Sequence, residues 1–448
     1  MPKSNTVYTC SACDAQFQKW SGKCLECGKW GTIDKEAKAP TPPSAKHISS
    51  ATASKMMTLT DAVAHDIIRT PTHISEVDRV LGGGIVPGSL ILLTGEPGIG
   101  KSTLTLHIAA AVHQTYIFSG EESEHQIALR AKRLMDEKNR QTISLSHESC
   151  VDSIVASIEK EKPTLAIVDS IQTMFSTAVE NEPGSVTQIR ACTTLLLSVA
   201  KKTGTAIIII GHVTKDGNVA GPKMLEHLVD VVLSFEGDSH QGIRLLRTTK
   251  NRFGSADEVG LFTMTETGLA PVKNPSELLL ADKGEPTSGS VITCLLEGNR
   301  PMLVEIQALV TKTAFGYPVR KASGFDVNRL HLLVAVLQKR TNINLAQYDV
   351  HVNVVGGVDA DEPAADLAVC FAIASSYNDK PVANDLCVFG EVGLSGDIRS
   401  VTHIEKRLKE CSERGMKRII TKTNTTANDK KLHIISVKNI QDLTQQTK

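Results

Sequence analysis

The sequence has no charge of either sign in excess: 49 Lys and Arg balance 49 Asp and Glu. Bulk electrostatics therefore argue neither for nor against a polyanionic partner, and any nucleic-acid contact must come from local basic patches. Aromatic residues are few, 4% of the chain with only two tryptophans, so their location is informative. No apolar run approaches the roughly 20 residues that span a bilayer; the run Ala206 to Ile210 has the length of a buried strand. The opening Met1-Pro2-Lys3-Ser4-Asn5 lacks the apolar core of a secretory signal. These absences lead us to expect a cytoplasmic protein with no membrane-spanning helix. What is present, 41% hydrophobic and 22% charged residues over 448 positions, fits a globular chain of two or three domains.

Cysteine is sparse except at one end. Cys150, Cys192, Cys294, Cys370, Cys387 and Cys411 are scattered singly and read as small buried hydrophobes. Cys10, Cys13, Cys24 and Cys27 instead form C-x2-C-x10-C-x2-C. Each C-x-x-C turn can present two thiolates to one metal, and two turns complete a tetrahedron that suits structural Zn2+. Such a metal would supply the folding energy of a module too small to bury a core. A redox dithiol, a disulfide pair or an iron–sulfur cluster are the alternatives. Both tryptophans, Trp20 and Trp30, fall in this module beside Lys19 and Lys29. They either stack on nucleic-acid bases, with the lysines meeting phosphates, or cover the small metal core. We place the module at residues 1–34 and a Pro-, Ala- and Ser-rich linker at 35–57.

Residues 95–102 read Gly95-Glu96-Pro97-Gly98-Ile99-Gly100-Lys101-Ser102, a complete G-x-x-x-x-G-K-[ST] phosphate loop. The apolar run Ser89 to Thr94 precedes it, and a helical pattern from Thr103 follows, the context the motif requires. Its glycines let backbone N–H groups turn around phosphate oxygens at a helix N-terminus. Lys101 would reach the β- and γ-phosphates of ATP, and Ser102 would hold Mg2+. Apolar runs then alternate with helical stretches: Tyr116 to Gly120 before Glu121-Glu122, Leu165 to Asp169, and Ala206 to Ile210 before Gly211-His212. This alternation argues for a parallel sheet with helices on both faces, with ligands beyond the carboxyl ends of the strands. Asp169, an acid closing a buried strand, could reach the Mg2+ shell through water. A carboxylate after the second strand is placed to orient the attacking water, with one of the Glu121-Glu122 pair capping the next helix. His212 is either a sensor of the γ-phosphate or a structural histidine.

The segment Asp78-Arg79-Val80-Leu81-Gly82-Gly83-Gly84 ahead of the phosphate loop resembles the entrance of RecA-type ATPases. By that resemblance, and by similarity to DnaB-type motors, Glu121 rather than Glu122 activates water. Three further segments, Gly211 to Gly217, Gly221 to His227 and Lys250-Asn251-Arg252-Phe253-Gly254, closely resemble the bacterial RadA/Sms family of DNA-repair ATPases, whose signature is the last of them. The order of domains agrees with that family over essentially the whole chain. A Lys and an Arg two apart in a strand would share a face. Lys250 and Arg252 could then act in trans on a neighbouring subunit's γ-phosphate; a DNA-facing patch or a surface ion pair are the alternatives. The ATPase domain is set at residues 58–275.

From about Ser288 the pattern resembles the proteolytic domain of Lon proteases, an α+β domain set at 285–448. The family's D-G-P-S-A-G serine motif is matched by Asp361-Glu362-Pro363-Ala364-Ala365-Asp366, where Ala364 replaces the nucleophile. Glu405 falls at the position of the catalytic lysine, with Lys406 beside it. Without a hydroxyl at Ala364 no acyl-enzyme can form, so no peptidase activity is expected. Arg320, Lys321 and Arg329 form a candidate DNA patch. The expected fold class is therefore α/β: a RecA-like P-loop core, a small zinc-ribbon-like module and a Lon-protease-like α+β domain. The resemblance implies a DNA-dependent, hexameric ATPase. It would process branched recombination intermediates by helicase-type movement on single-stranded DNA, using ATP, Mg2+ and Zn2+, with a recombinase as a further partner. An ATP-dependent protease or a nucleotide-switched DNA-binding scaffold are the competing classes.

Overall fold

A computed structural model describes residues 7–10, 16, 17, 19–24, 29–36, 68–212, 222–237, 242–314, 316–422 and 432–445. Its contacts divide the chain into two compact units. The first holds 1–236, 246–256 and 265–269; the second holds 237–245, 257–264 and 270–448.

At the N-terminus β1 (Val7–Cys10) pairs antiparallel with β2 (Gln16–Phe17) and β3 (Ile33–Glu36). Cys10, Cys24 and Ile33 are buried together, with Tyr8 and Phe17 packed against them. Cys13 and Cys27 lie outside the described residues. The two cysteines that are described stand at the centre of the module, where a structural zinc would sit.

The large sheet of the first unit is built on β4 (Leu90–Gly95), β5 (Thr115–Ser119), β6 (Ile143–Ser146), β7 (Leu165–Asp169), β8 (Ala206–His212) and β9 (Val231–Glu236). Their order is β9-β4-β8-β7-β5-β6, all parallel. β4, β7 and β8 are apolar along almost their whole length because helices cover both faces, as a parallel sheet demands. The helix Val186–Thr203 packs its Ile189, Cys192, Leu196 and Val199 into the core with Leu90, Leu92, Val168 and Ile207. Ser185 caps its start and Gly204, in a left-handed conformation, ends it. This order sends the ends of β4, β5, β7 and β8 to one edge of the sheet, where the functional residues collect.

The second unit carries a seven-stranded sheet: β11 (Ser290–Glu297), β12 (Arg300–Lys312), β13 (Arg320–Ser323), β14 (Tyr348–Val354), β15 (Leu386–Val388), β16 (Arg418–Thr421) and β17 (His433–Ser436), in the order β13-β14-β12-β11-β15-β16-β17. It mixes antiparallel and parallel pairs, an α+β arrangement. The helix Asp366–Tyr377 runs through its core with every residue from Asp366 to Ser375 buried. Among the described residues no helix is long and apolar enough to cross a membrane.

Candidate nucleotide-binding site

The phosphate loop joins β4 to the helix Lys101–Ala111, whose N-cap is Gly100 in a left-handed conformation. Gly95 has to be glycine: its φ is +154°, and a Cβ there would lie 2.4 Å from the Phe235 carbonyl oxygen. The Gly-rich turn ahead of β4 has the same constraint at Gly84, where a Cβ would lie 2.7 Å from Thr70 O. Backbone-to-backbone approaches of this kind are what the spacing of glycines in the sequence records.

Lys101 is buried, and its Nζ donates to Gly95 O at 2.8 Å and Glu96 O at 2.9 Å. Burial lowers its pKa, opposed by the nearby Asp169 and Glu121 carboxylates. The amine therefore lies folded over the loop, held by two carbonyls that a phosphate can replace. Ser102 Oγ donates to Asp169 Oδ2 at 2.8 Å, while Asp169 Oδ1 is buried with no hydrogen-bond partner. Burial raises the Asp169 pKa; the Ser102 hydrogen bond works against it and Glu121 adds to it. A hydroxyl and an incompletely paired carboxylate form an oxygen set that suits a hard divalent cation.

Glu121, Asp169 and His212 bring their ligand atoms within 4.8 Å of one another. The His212 Nε2 lies 3.3 Å from a Glu121 carboxylate oxygen, yet neither ring nitrogen makes a hydrogen bond. Ser170 Oγ donates to Glu121 Oε1. Glu122 turns away from this group: its carboxylate pairs with Arg130. Neither glutamate caps the next helix, contrary to the sequence reading. Ser123 does so, in a capping box with Gln126, because a short hydroxyl reaches the N3 amide. Of the adjacent acids, Glu121 is the one whose charge acts on Lys101, and it acts on Asp169 more strongly than Glu122 does.

The segment around Lys250 departs from the expected shared strand face. β10 (Ile243–Asn251) ends before Arg252 because the Asn251 side chain accepts from Phe253 N at 2.9 Å and turns the chain. Lys250 Nζ donates to Glu226 O and, at 2.9 Å, to Val229 O. Burial lowers its pKa, with Arg252 adding to the effect. Arg252 is exposed. Lys250 is therefore committed to backbone carbonyls, while Arg252 stands in the turn beyond the strand end, near enough for its charge to act on Lys250.

Three contributors escaped the sequence reading. Ser170 orients Glu121, and Gln172 Nε2 donates to His212 O at 3.3 Å while its Oε1 is buried without a partner. Both follow the acid that closes β7, which is the one sequence signal they carry. Arg69 donates to Leu81 O at 2.8 Å and to Phe253 O at 2.7 Å, joining the Gly-rich turn to the turn after Lys250. Nothing local in sequence announces that link.

The basic residues proposed for DNA are separately placed. Arg320 donates to Val319 O, Tyr348 O and Leu345 O, so its guanidinium is spent on backbone. Arg329 pairs with the buried Asp366 and also donates to Val392 O at 3.0 Å. Lys321 is exposed. In the Lon-like fold Ala364 is buried, and Glu405 and Lys406 are both exposed, with Lys406 Nζ donating to Asn299 Oδ1 at 3.1 Å. The inward residue of that helix is Arg407. It is fully buried and bonded to both carboxylate oxygens of Glu362 at 2.8 and 2.6 Å. Ala364 therefore brings no hydroxyl to the serine position of the Lon motif, and Arg407, the buried residue next to Glu405 and Lys406, is locked to Glu362.

Comparison with known proteins identifies the family. Residues 54–218 match the AAA domain family, 333–446 the Lon protease (S16) C-terminal proteolytic domain, and 8–35 the rubredoxin metal binding domain. The "DNA repair protein RadA" of Bacillus subtilis is 44% identical over 452 residues, covering 99% of this chain and 98% of that one. The protein of the same name from Pseudomonas aeruginosa is 44% identical over 425 residues, 94% of this chain and 93% of its own. A solved structure titled "Crystal structure of the RadB recombinase" overlaps 45% of this chain and 99% of its own at 24% identity, with a TM-score of 0.38. RadA relatives this similar along nearly the whole length, together with a phosphate loop inside a match to the AAA domain family, show that the chain belongs to the RadA family of DNA repair proteins and is an ATPase.

Proposed function

We propose that this ATPase is a ring-forming motor, a homo-hexamer that moves on single-stranded DNA and processes branched recombination intermediates. The observation that supports the nucleotide-driven core is Lys101 folded over the phosphate loop beside Asp169, whose Oδ1 is buried without a partner; the ring and motor parts of the reading rest on similarity to RadA proteins along nearly the whole chain. A buried polar atom without a partner costs about 1–3 kcal/mol, which a cation bound at Asp169 would offset.

In this reading the loop amides from Gly95 to Gly100, with Thr103, embrace the phosphates, and Lys101 leaves Gly95 O and Glu96 O for the β- and γ-oxygens. Ser102 would hold Mg2+ and Asp169 would reach its shell through water; the cation would supply charge neutralisation at the phosphates. Glu121, fixed by Ser170, accepts a hydrogen bond from the attacking water, and His212 reports the γ-phosphate. Arg252 reaches a neighbouring subunit's nucleotide across the ring, while Lys250 fixes the turn that presents it. Four thiolates, Cys10, Cys13, Cys24 and Cys27, hold the zinc of a 1–34 module. An ATPase domain at 58–275 and an assembly domain at 285–448 complete the division, and Lys321 is the residue of the basic trio best placed for phosphate.

The test is steady-state ATP hydrolysis with and without single-stranded DNA at low and moderate salt. Stimulation that weakens as salt rises is expected, because phosphate neutralisation releases counterions. A basal rate indifferent to DNA would sink the motor reading and leave a nucleotide-switched scaffold. Degradation of casein would favour a protease, against which Ala364 stands.

A further inference from the structure

The N-terminal module has its own aromatic–basic face, which the ATP site does not use. Of the two uses open to the tryptophans, covering the metal core is already performed by Tyr8 and Phe17. Trp20 and Trp30 are 62% and 74% exposed, the largest apolar side chains turned to solvent in the module's described residues. They are nonetheless held in place. Trp20 Nε1 donates to Ile33 O at 3.0 Å, which commits its polar edge to the module. Trp30 sits opposite Lys23 in an antiparallel bridge, closed by Cys24 N to Lys29 O and Gly31 N to Gly22 O, both 2.9 Å. Both indoles border Gly22: a Cβ there would lie 3.7 Å from Trp30 Cζ3 and 4.0 Å from Trp20 Cη2.

Charge surrounds these rings asymmetrically. Lys19, Lys23 and Lys29 are all exposed, and Lys23 Nζ stands 5.8 Å from the Trp30 ring centroid. From residue 19 to residue 30 the charged residues are these three lysines and Glu26. Exposed rings of fixed orientation among cations offer two things to one ligand: π-faces for bases and ammonium groups for phosphates. A protein partner would need an apolar surface carrying acids, which is the less economical match to rings separated by lysines.

We propose that Trp20, Trp30, Lys19, Lys23 and Lys29 form a stacking platform for single-stranded nucleic acid. The proposal rests on the reading of the chain as a DNA-dependent ATPase and deepens it by giving the zinc module a direct contact with the unpaired strand. Bases would lie against the indoles without sequence preference, since every base has a π-face, and the lysines would make the contact salt-sensitive.

The chain has no other tryptophan, so its intrinsic indole fluorescence reports this face alone. The experiment titrates the full-length, zinc-loaded protein with a dye-labelled oligothymidylate, reading tryptophan quenching and dye anisotropy together. An abasic oligonucleotide of the same length runs in parallel. The expected result is quenching that follows the anisotropy curve for oligothymidylate and is absent for the abasic strand. Trp30→Ala should weaken binding about tenfold and Trp30→Phe much less, because a phenyl ring still offers a face for a base to stack on. Replacing the three lysines by glutamine should lower the salt dependence with zinc content unchanged, which separates a lost contact from a lost fold. An anisotropy rise without any quenching would overturn the proposal and assign the face to a protein. No anisotropy rise at all would instead remove the DNA-binding premise beneath it.

Discussion

Two sets of buried charged side chains in this protein are built on opposite plans. Around Lys101 the charges are held loosely: the amine rests on two loop carbonyls, and Asp169, Gln172 and His212 keep atoms with no partner. In the second unit the charges are closed on themselves. Glu362 accepts from both terminal nitrogens of Arg407 and from Leu296 N, and Asp366 accepts from Arg329 and from Val392 N. The first arrangement is incomplete without a ligand and the second is complete without one. A Lon-like fold therefore retains its shape here with an internal ion pair two residues from Ala364, at the serine position of the Lon motif, whereas charged groups around Lys101 keep atoms without a partner.

The sharpest way to break that contrast is to remove one charge from each side. Lys101→Ala should lower ATP turnover about a hundredfold or more, since it deletes a preorganised charge on the transferring phosphate, while the melting temperature stays close to the parent's. Arg407→Ala should do the reverse. Stripping one partner from a buried pair costs about 3–5 kcal/mol, so the second unit should melt well below the first in calorimetry. If Arg407→Ala leaves the melting profile intact, the closed-pair account fails. Replacing Arg407 by Met and Glu362 by Leu together should recover much of the loss, because a packed apolar pair avoids the uncompensated charge.

A smaller effect is expected at Arg69, which ties Leu81 O to Phe253 O. Losing two charged hydrogen bonds there should reduce turnover about tenfold through misplacement of the turn that carries Arg252. ATP affinity, read by equilibrium binding, should change less, and equal losses in both would sink a positioning role.

Asp169 adds a pH test. Its native pKa is raised above the ordinary 3.8, burial being the first cause, so the native state holds this proton at a pH where the unfolded chain has released it. Stability of the nucleotide-free protein should therefore decline as pH rises from the ordinary value through the raised one. Asp169→Asn should abolish that part of the decline and melt about 2 °C higher at neutral pH, while hydrolysis is lost. The smallest expected effect is at Ala364→Ser, which should yield no peptidase activity on an unstructured substrate. Glu405 and Lys406 face solvent and Arg407 is locked to Glu362, so the new hydroxyl has no base.

Legibility in the sequence followed the range over which each constraint acts. The phosphate loop could be read because its glycines answer to backbone geometry within a few residues. Asp169 and His212 could be read because apolar runs place them at strand ends. Ser170 and Gln172 act on residues 49 and 40 positions away, and Arg69 on one 184 away, so their partners exist only once the sheet has formed. The pairing of Lys250 with Arg252 on one face assumed a strand that continues, and the Asn251 turn stops it. Arg407 did leave a trace: it shares the inward stripe of its helix with Leu408 and Cys411, where a cation among buried residues implies a buried acid.

The enclosed helix Asp366–Tyr377 has a kinetic consequence. With residues 366–375 all withdrawn from water, its amides can exchange with deuterated solvent only when the surrounding fold opens as a whole. That segment should be the last of the second unit to label, and its labelling rate is a clock for how often that unit comes apart while the ATPase turns over.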